Sequence, residues 1–168
     1  VRLIELQWID EIRRTFESYG FCSVETPSVE DLRALLAKGE TDKEIYTLTR
    51  LQADESDGGE ARLGLHYDLT VPLARYVAQH YNDLVFPFKR YQIQRVWRGE
   101  RPQEGRFREF YQCDIDVINN ENVPLYFDAE MPAIIHGVLG KLGVGEFVIG
   151  LSNRKILQGF YAGLGIED

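Results

Sequence analysis

Cysteine is scarce in this chain of 168 residues: Cys22 and Cys113 are the only two, 91 positions apart and without a Cys-x-x-Cys spacing. They offer no disulfide framework, and a reducing cytosol fits them best. No run of about 18 uncharged apolar residues occurs, and the amino terminus is charged and amphipathic, so the sequence predicts neither a membrane span nor a signal peptide. The expected location is cytoplasmic. Basic residues are in deficit, 19 Lys and Arg against 27 Asp and Glu for a formal net charge of −8, which argues against a general nucleic-acid coat. Histidine is also sparse: His66, His80 and His136 are too scattered for a metal site, so no metal ligands are expected. What is present is 44% hydrophobic and 27% charged residues, the balance of one ordinary soluble domain. A chain this long buries about 68–70% of its unfolded surface, so it needs no staple to hold a core. Disordered, collagenous and knottin-like classes are excluded.

Positive charge is nevertheless concentrated. Residues 89–109 hold seven basic side chains (Lys89, Arg90, Arg95, Arg98, Arg101, Arg106 and Arg108) and three acidic ones, a local charge of +4. Such a patch on an acidic chain points to one anionic ligand.

Hydrophobic periodicity places the elements. Leu6, Ile9, Ile12, Phe16 and Tyr19 recur at helical spacing and Gly20 follows as a stop. Residues 21–24 read as a short strand and 31–38 as a second helix. Residues 44–50 and 62–65 read as paired strands around an acidic, glycine-bearing turn at 51–60. Thr70 is the expected N-cap of a helix with Pro72 in its first turn. Two long strands follow, 89–100 and 107–117, forming an antiparallel hairpin around the loop RPQEG. Asp128 is the expected cap of a helix to about residue 142, although Pro132, Gly137 and Gly140 weaken it. Residues 147–151 read as a strand and 153–162 as a last helix. Without regular βαβ spacing, the fold class is α+β, a mixed and mainly antiparallel sheet flanked by helices.

The hairpin carries the chemistry. Alternation sends Tyr111, Cys113, Ile115 and Val117 to one face, and Arg108, Phe110, Gln112, Asp114 and Asp116 to the other. On the first strand Gln92, Gln94, Arg98 and Glu100 continue that polar face. Such a floor suits a phosphate on Arg, an amine on a carboxylate and a flat base against Phe110. Cys113, on the apolar face, is expected to be an inert packing residue.

RGERPQEGRFREFYQCDID, residues 98–116, closely resembles motif 2 of the class II aminoacyl-tRNA synthetases, in the version carried by the histidyl-tRNA synthetase family. The match includes an Arg-x-Glu, a loop with Arg-Pro-Gln, an Arg-x-x-x-Phe and a closing Gln-x-x-x-Asp. YGFCSVETPSVE (19–30) resembles motif 1, the helix–strand segment of the dimer interface, and LHYDLTVPLARYVA (65–78) resembles the amino-acid-binding segment. FDAE (127–130) and SNRKIL (152–157) also match the family pattern. The resemblance implies a class II-like catalytic core with motif 1 at about residues 8–30 and motif 2 at about 88–117.

By this resemblance Arg98 would hold the α-phosphate of ATP and the substrate carboxylate, Glu100 would accept from the adenine amine, Arg106 would bind the γ-phosphate, and Phe110 would stack under adenine. Asp68, where the family often has a glutamate, and Thr70 match the positions that hold the substrate α-amino group. Gln112 and Asp116 would meet the histidine end, with Asp116 matching an acidic position that pairs with the imidazole, whose two nitrogens each need a donor or acceptor. Asp114 receives no role. His66 adjoins the Asp68 segment and is the one histidine of interest.

The family's motif 3 and its Gly-Gly-Arg-Tyr-type segment, each with an arginine for catalysis, do not occur in the chain, nor does an anticodon-binding domain. The expectation is therefore an incomplete catalytic domain, nearly inactive alone. Its parent would be a homodimeric ligase that activates histidine with ATP, accompanied by Mg²⁺, and transfers it to tRNA(His). Two alternatives stay open: a histidine-sensing regulatory subunit of ATP phosphoribosyltransferase with the same fold, or another class II ligase such as glycyl or prolyl. ATP use separates the first, and the side-chain pocket the second.

Overall fold

The computed structural model describes residues 1–37, 44–50, 62–101 and 103–166. The apolar stripe of the amino-terminal segment forms α1 (Arg2–Ser18), which ends in a Schellman turn: Gly20 adopts φ +80° and donates to Glu17 O, while Phe21 N–H reaches back to Phe16 O. Phe16 and Phe21 then meet in the core. After α1 come β1 (Cys22–Ser23), β2 (Val29–Asp31), α2 (Leu32–Leu36), β3 (Thr47–Leu48), β4 (Leu63–Leu65) and α3 (Thr70–His80). A 3₁₀ turn at Tyr81–Asp83 leads to β5 (Phe88–Trp97), β6 (Glu109–Ile118), α4 (Tyr126–Leu142) and α5 (Arg154–Gly163).

The strands make two three-stranded sheets. In the first, β5 lies between β1, which it pairs in parallel, and β6, which it pairs antiparallel. In the second, β4 lies between β2 and β3, all antiparallel. The α+β class with a mixed, mainly antiparallel arrangement is therefore as expected. Helices α1 and α4 cover the apolar face of the first sheet, burying Phe16, Phe21, Tyr91, Ile134 and Val138 against Ile12, Ile93, Cys113, Ile115 and Val117. Each large apolar side chain so buried contributes about 1.5–3 kcal/mol. Leu73 of α3 packs with Val24 and Phe88 in a second cluster.

Several sequence expectations need correction. Thr70 is the first helical residue of α3 and does not cap it; Asp68 Oδ1 accepts from Val71 N–H at 3.3 Å instead. Asp128 does not cap α4, which starts two residues earlier and carries Asp128 within its first turn. Residues 147–151 form no strand. Val148 and Leu151 are exposed, and among the described residues no strand pairs with them, without which an extended segment is not stable. Strand β2 was not foreseen because its one buried residue is the charged Glu30, which leaves no apolar alternation to read. Helix α4 runs unbroken through Pro132, Gly137 and Gly140, since the buried Phe127, Ile134 and Val138 outweigh propensity. The turn at 51–60, Lys38 at the expected end of the second helix, and Pro102 lie outside the described residues.

The two cysteines differ sharply. Cys22 is exposed, whereas burial among core side chains pushes the Cys113 thiol up to about 11. Because the thiolate is the nucleophile, iodoacetamide at pH 8 should alkylate Cys22 and leave Cys113 intact until the protein unfolds. Peptide mapping that found both modified at similar rates would contradict the packing described.

Candidate active site

The register of β5 and β6 sets Arg90 opposite Asp116, Gln92 opposite Asp114, Gln94 opposite Gln112 and Val96 opposite Phe110. Directly opposed residues share a face, so the polar floor extends across both strands. It is joined to the segment resembling motif 1: Gln92 Nε2 donates to Thr26 Oγ1 at 2.9 Å, and Gln94 Nε2 donates to Thr26 O at 2.7 Å.

The segment between β4 and α3 is stitched to the far end of β5. Trp97 N–H donates to His66 O at 3.1 Å. His66 is fully buried, and its Nε2 lies 2.8 Å from Arg95 O; a carbonyl only accepts, so this nitrogen carries the proton. Arg98 Nε donates to Tyr67 O at 3.1 Å, which brings Asp68, next along the chain and 6% exposed, to the floor. His66 thus works as a brace, with no contact to the floor itself given by these bonds. Thr70 stands exposed at the start of α3.

Two regions result, with Arg98 between them. On one side Arg98, Glu100, Gly105, Arg106, Phe107 and Phe110 line a cavity of about 240 Å³. The Arg98 guanidinium lies 5.1 Å from the centroid of the Phe110 ring, a cation–π distance. Arg106 Nη1 and Glu100 Oε2 are 3.0 Å apart at the rim. Gly99 lets the backbone pass close to Glu44: its N–H donates to Glu44 O at 2.7 Å, and a Cβ would sit 3.2 Å from that oxygen. On the other side Arg98 Nη2 donates to Gln112 Oε1 at 3.3 Å, and Gln112 Nε2 donates to Asp114 Oδ2 at 2.8 Å.

Beyond Asp114 lies a residue that the sequence reading passed over. Arg90 is fully buried and pairs with Asp116 Oδ2 at 2.7 Å. Burial pulls its guanidinium below the ordinary arginine value, and the nearby carboxylates Asp116, Asp114 and Asp68 oppose that fall. Burial likewise raises the Asp114 carboxyl, while the Gln112 amide and Arg90 hold it down. Its phase could have revealed Arg90, since it is two residues before Gln92 on the same strand face.

The structure therefore gathers Arg98, Glu100, Arg106 and Phe110 around one concavity, and Asp68, Gln112 and Asp116 around a second polar cluster reached by the same arginine. A family model described as histidyl-tRNA synthetase matches residues 6–168. The chain belongs to the histidyl-tRNA synthetase family. The histidine–tRNA ligase of Thermobifida fusca is 71% identical over 168 residues, covering 100% of this chain and 38% of that protein. That of Micrococcus luteus is 49% identical, covering 99% of this chain and 39% of its own. The crystal structure of histidyl-tRNA synthetase from Nostoc sp. PCC 7120 matches with a TM-score of 0.85 at 47% identity, covering 99% of this chain and 37% of that one. An ATP phosphoribosyltransferase regulatory subunit/histidyl-tRNA synthetase from Bacillus halodurans C shares the fold, with a TM-score of 0.71 at 23% identity over 86% of this chain and 35% of that one. The chain spans 37–39% of the length of the three histidyl-tRNA synthetase family members matched at 47% identity or more.

Proposed function

We propose that the full-length protein carrying this chain is a cytoplasmic histidine–tRNA ligase, in which these residues form part of the catalytic domain with motif 1 at about residues 8–30 and motif 2 at about 88–117. The observation that carries this is the placement of Arg98, whose guanidinium lies over Phe110 in the cavity and also donates to Gln112 in the polar cluster. A group so placed serves a reaction between two ligands.

In this reading ATP lies in the cavity, adenine on Phe110 with its amine on Glu100, and the γ-phosphate on Arg106. The Arg106–Glu100 pair is largely exposed on its arginine side, and such a pair contributes about 0–1 kcal/mol, so Arg106 exchanges readily to a phosphate. Histidine lies across the polar cluster, its α-amino group on Asp68 and Thr70 and its imidazole between Gln112 and Asp116. A carboxylate oxygen of histidine attacks the α-phosphorus, the bond to the bridging oxygen breaks, and pyrophosphate leaves with the electron pair. Arg98 holds attacking carboxylate and α-phosphate together and stabilises the charge that builds on phosphorus. A hydroxyl at the 3′ end of tRNA(His) then attacks the carbonyl carbon of the histidyl-adenylate, the bond to the phosphate oxygen breaks, and AMP leaves. Mg²⁺ enters with ATP, held mainly by the phosphates. A homodimer is proposed through α1 and the segment to Pro27, with Leu3, Ile4, Leu6 and Trp8 exposed on that helix.

The experiment is ATP–pyrophosphate exchange by the full-length protein with each of the twenty amino acids, alongside thermal unfolding with the same ligands. Exchange with histidine alone is expected, and histidine at about 100 times its Kd should add about 2.7 kcal/mol of stability. Exchange driven by a different amino acid would move the assignment to another class II ligase. A histidine shift with neither exchange nor an ATP shift would make the protein a regulator.

A further inference from the structure

Arg90 has no part in the scheme above, yet it joins both ends of the amino-acid side of the site. Its guanidinium pairs with Asp116 at 2.7 Å, lies 3.3 Å from Gln92 Oε1, and donates to the Leu69 carbonyl at 3.5 Å. Leu69 stands between Asp68 and Thr70, so one nitrogen of the guanidinium, Nη2, touches both the turn proposed to hold the α-amino group and the carboxylate proposed to read the imidazole, while Nη1 reaches Gln92. Stability alone does not explain it. Asp116 is 38% exposed and water would solvate it unaided, while an apolar side chain would fill the space of Arg90 without desolvating a charge. A planar guanidinium spanning two acceptors does something an apolar residue cannot: it holds them at a set separation.

We infer that Arg90 is a positioning residue that fixes the distance between Asp116 and the Asp68–Thr70 turn, and with it the length of amino-acid side chain the pocket accepts. This rests on the roles proposed above for Asp68, Thr70 and Asp116. The groups facing Arg90 are Asp68, Leu69, Gln92, Asp114 and Asp116, and none of the cavity residues Glu100, Arg106 or Phe110 is among them. Its loss should therefore be felt on one substrate and not the other.

The test compares wild type, Arg90→Lys and Arg90→Met in the full-length protein by pyrophosphate exchange with histidine and with homohistidine, which is one methylene longer. Removing a charge-assisted bond should raise KM for histidine about tenfold and leave KM for ATP within about twofold. A pocket of fixed length discriminates one methylene by about 10–200-fold, and the preference for histidine over homohistidine should fall at least about fivefold in both variants. Equal rises in both KM values with the preference unchanged, or no change in either variant, would overturn the inference. If Arg90→Met does not fold, Arg90→Lys decides by the same ratio, since it keeps the charge but lacks the planar group that Gln92 orients. Wild-type protein without histidine-dependent exchange would remove the functional reading itself and this inference with it, a result distinguishable because Arg90 is then intact.

Discussion

Arg98→Ala in the full-length protein should lower histidine-dependent pyrophosphate exchange by at least about 10²–10³, the usual loss when a preorganised charge is removed from a transition state. The reason lies in its three contacts. Arg98 is anchored by Tyr67 O, lies against Phe110 and reaches Gln112, so alanine removes the only side chain described here that meets both clusters. Lysine would keep the charge but cannot make a forked contact, and should recover a small part of the rate. Because Arg98 is at the surface of the floor and not in the apolar core, circular dichroism and the unfolding midpoint should change little. Exchange at the wild-type rate would refute the role given to Arg98.

Arg75→Met should have the second large effect, on stability. Glu30 of β2 is 3% exposed and pairs with Arg75 of α3, joining the second sheet to the helix that opens beside Asp68. Removing one partner of a buried pair costs about 3–5 kcal/mol because the remaining charge is left uncompensated. Arg75 is itself 39% exposed, which places the expected loss at the lower end, about 3 kcal/mol in urea unfolding. The double variant Glu30→Gln, Arg75→Met should regain most of it, since no stranded charge remains. A single variant that loses less than about 1 kcal/mol, or a double variant no better than the single, would show that the pair is not buried in the way described.

Local pattern made the site legible where periodicity was long. In the long strands β5 and β6 the face of each side chain followed from parity, including the apolar side that carries Cys113, and the ten observed pairs agree with it. The α1 stripe and its stop at Gly20 were equally readable. What local pattern did not reveal were bonds between distant segments. Gln92 with Thr26 is 66 positions apart, and Arg75 with Glu30 is 45 apart. Nothing in either neighbourhood announces its partner. The same applies to the cap of α3: threonine is a good cap by type, but the helix begins one residue earlier, at Thr70 itself, and Asp68 takes the N–H of Val71. Residues 147–151 have the composition of a strand, but pairing is a tertiary property. Arg90 was hidden differently, since a basic residue within a basic patch reads as surface unless its phase with Gln92 is followed along the strand.

The sharing of one guanidinium between two clusters ties their ligand affinities together. If histidine and ATP bind as proposed, Arg98 cannot be placed for one without being placed for the other, so whatever factor histidine applies to the dissociation constant of ATP, ATP must apply to that of histidine. If the first ligand to arrive bears the entropy of ordering the Arg98 side chain, the second finds it already set, and the coupling is positive. Reciprocity of this kind needs no movement of the backbone, and in this fold it runs through a single side chain at the end of β5.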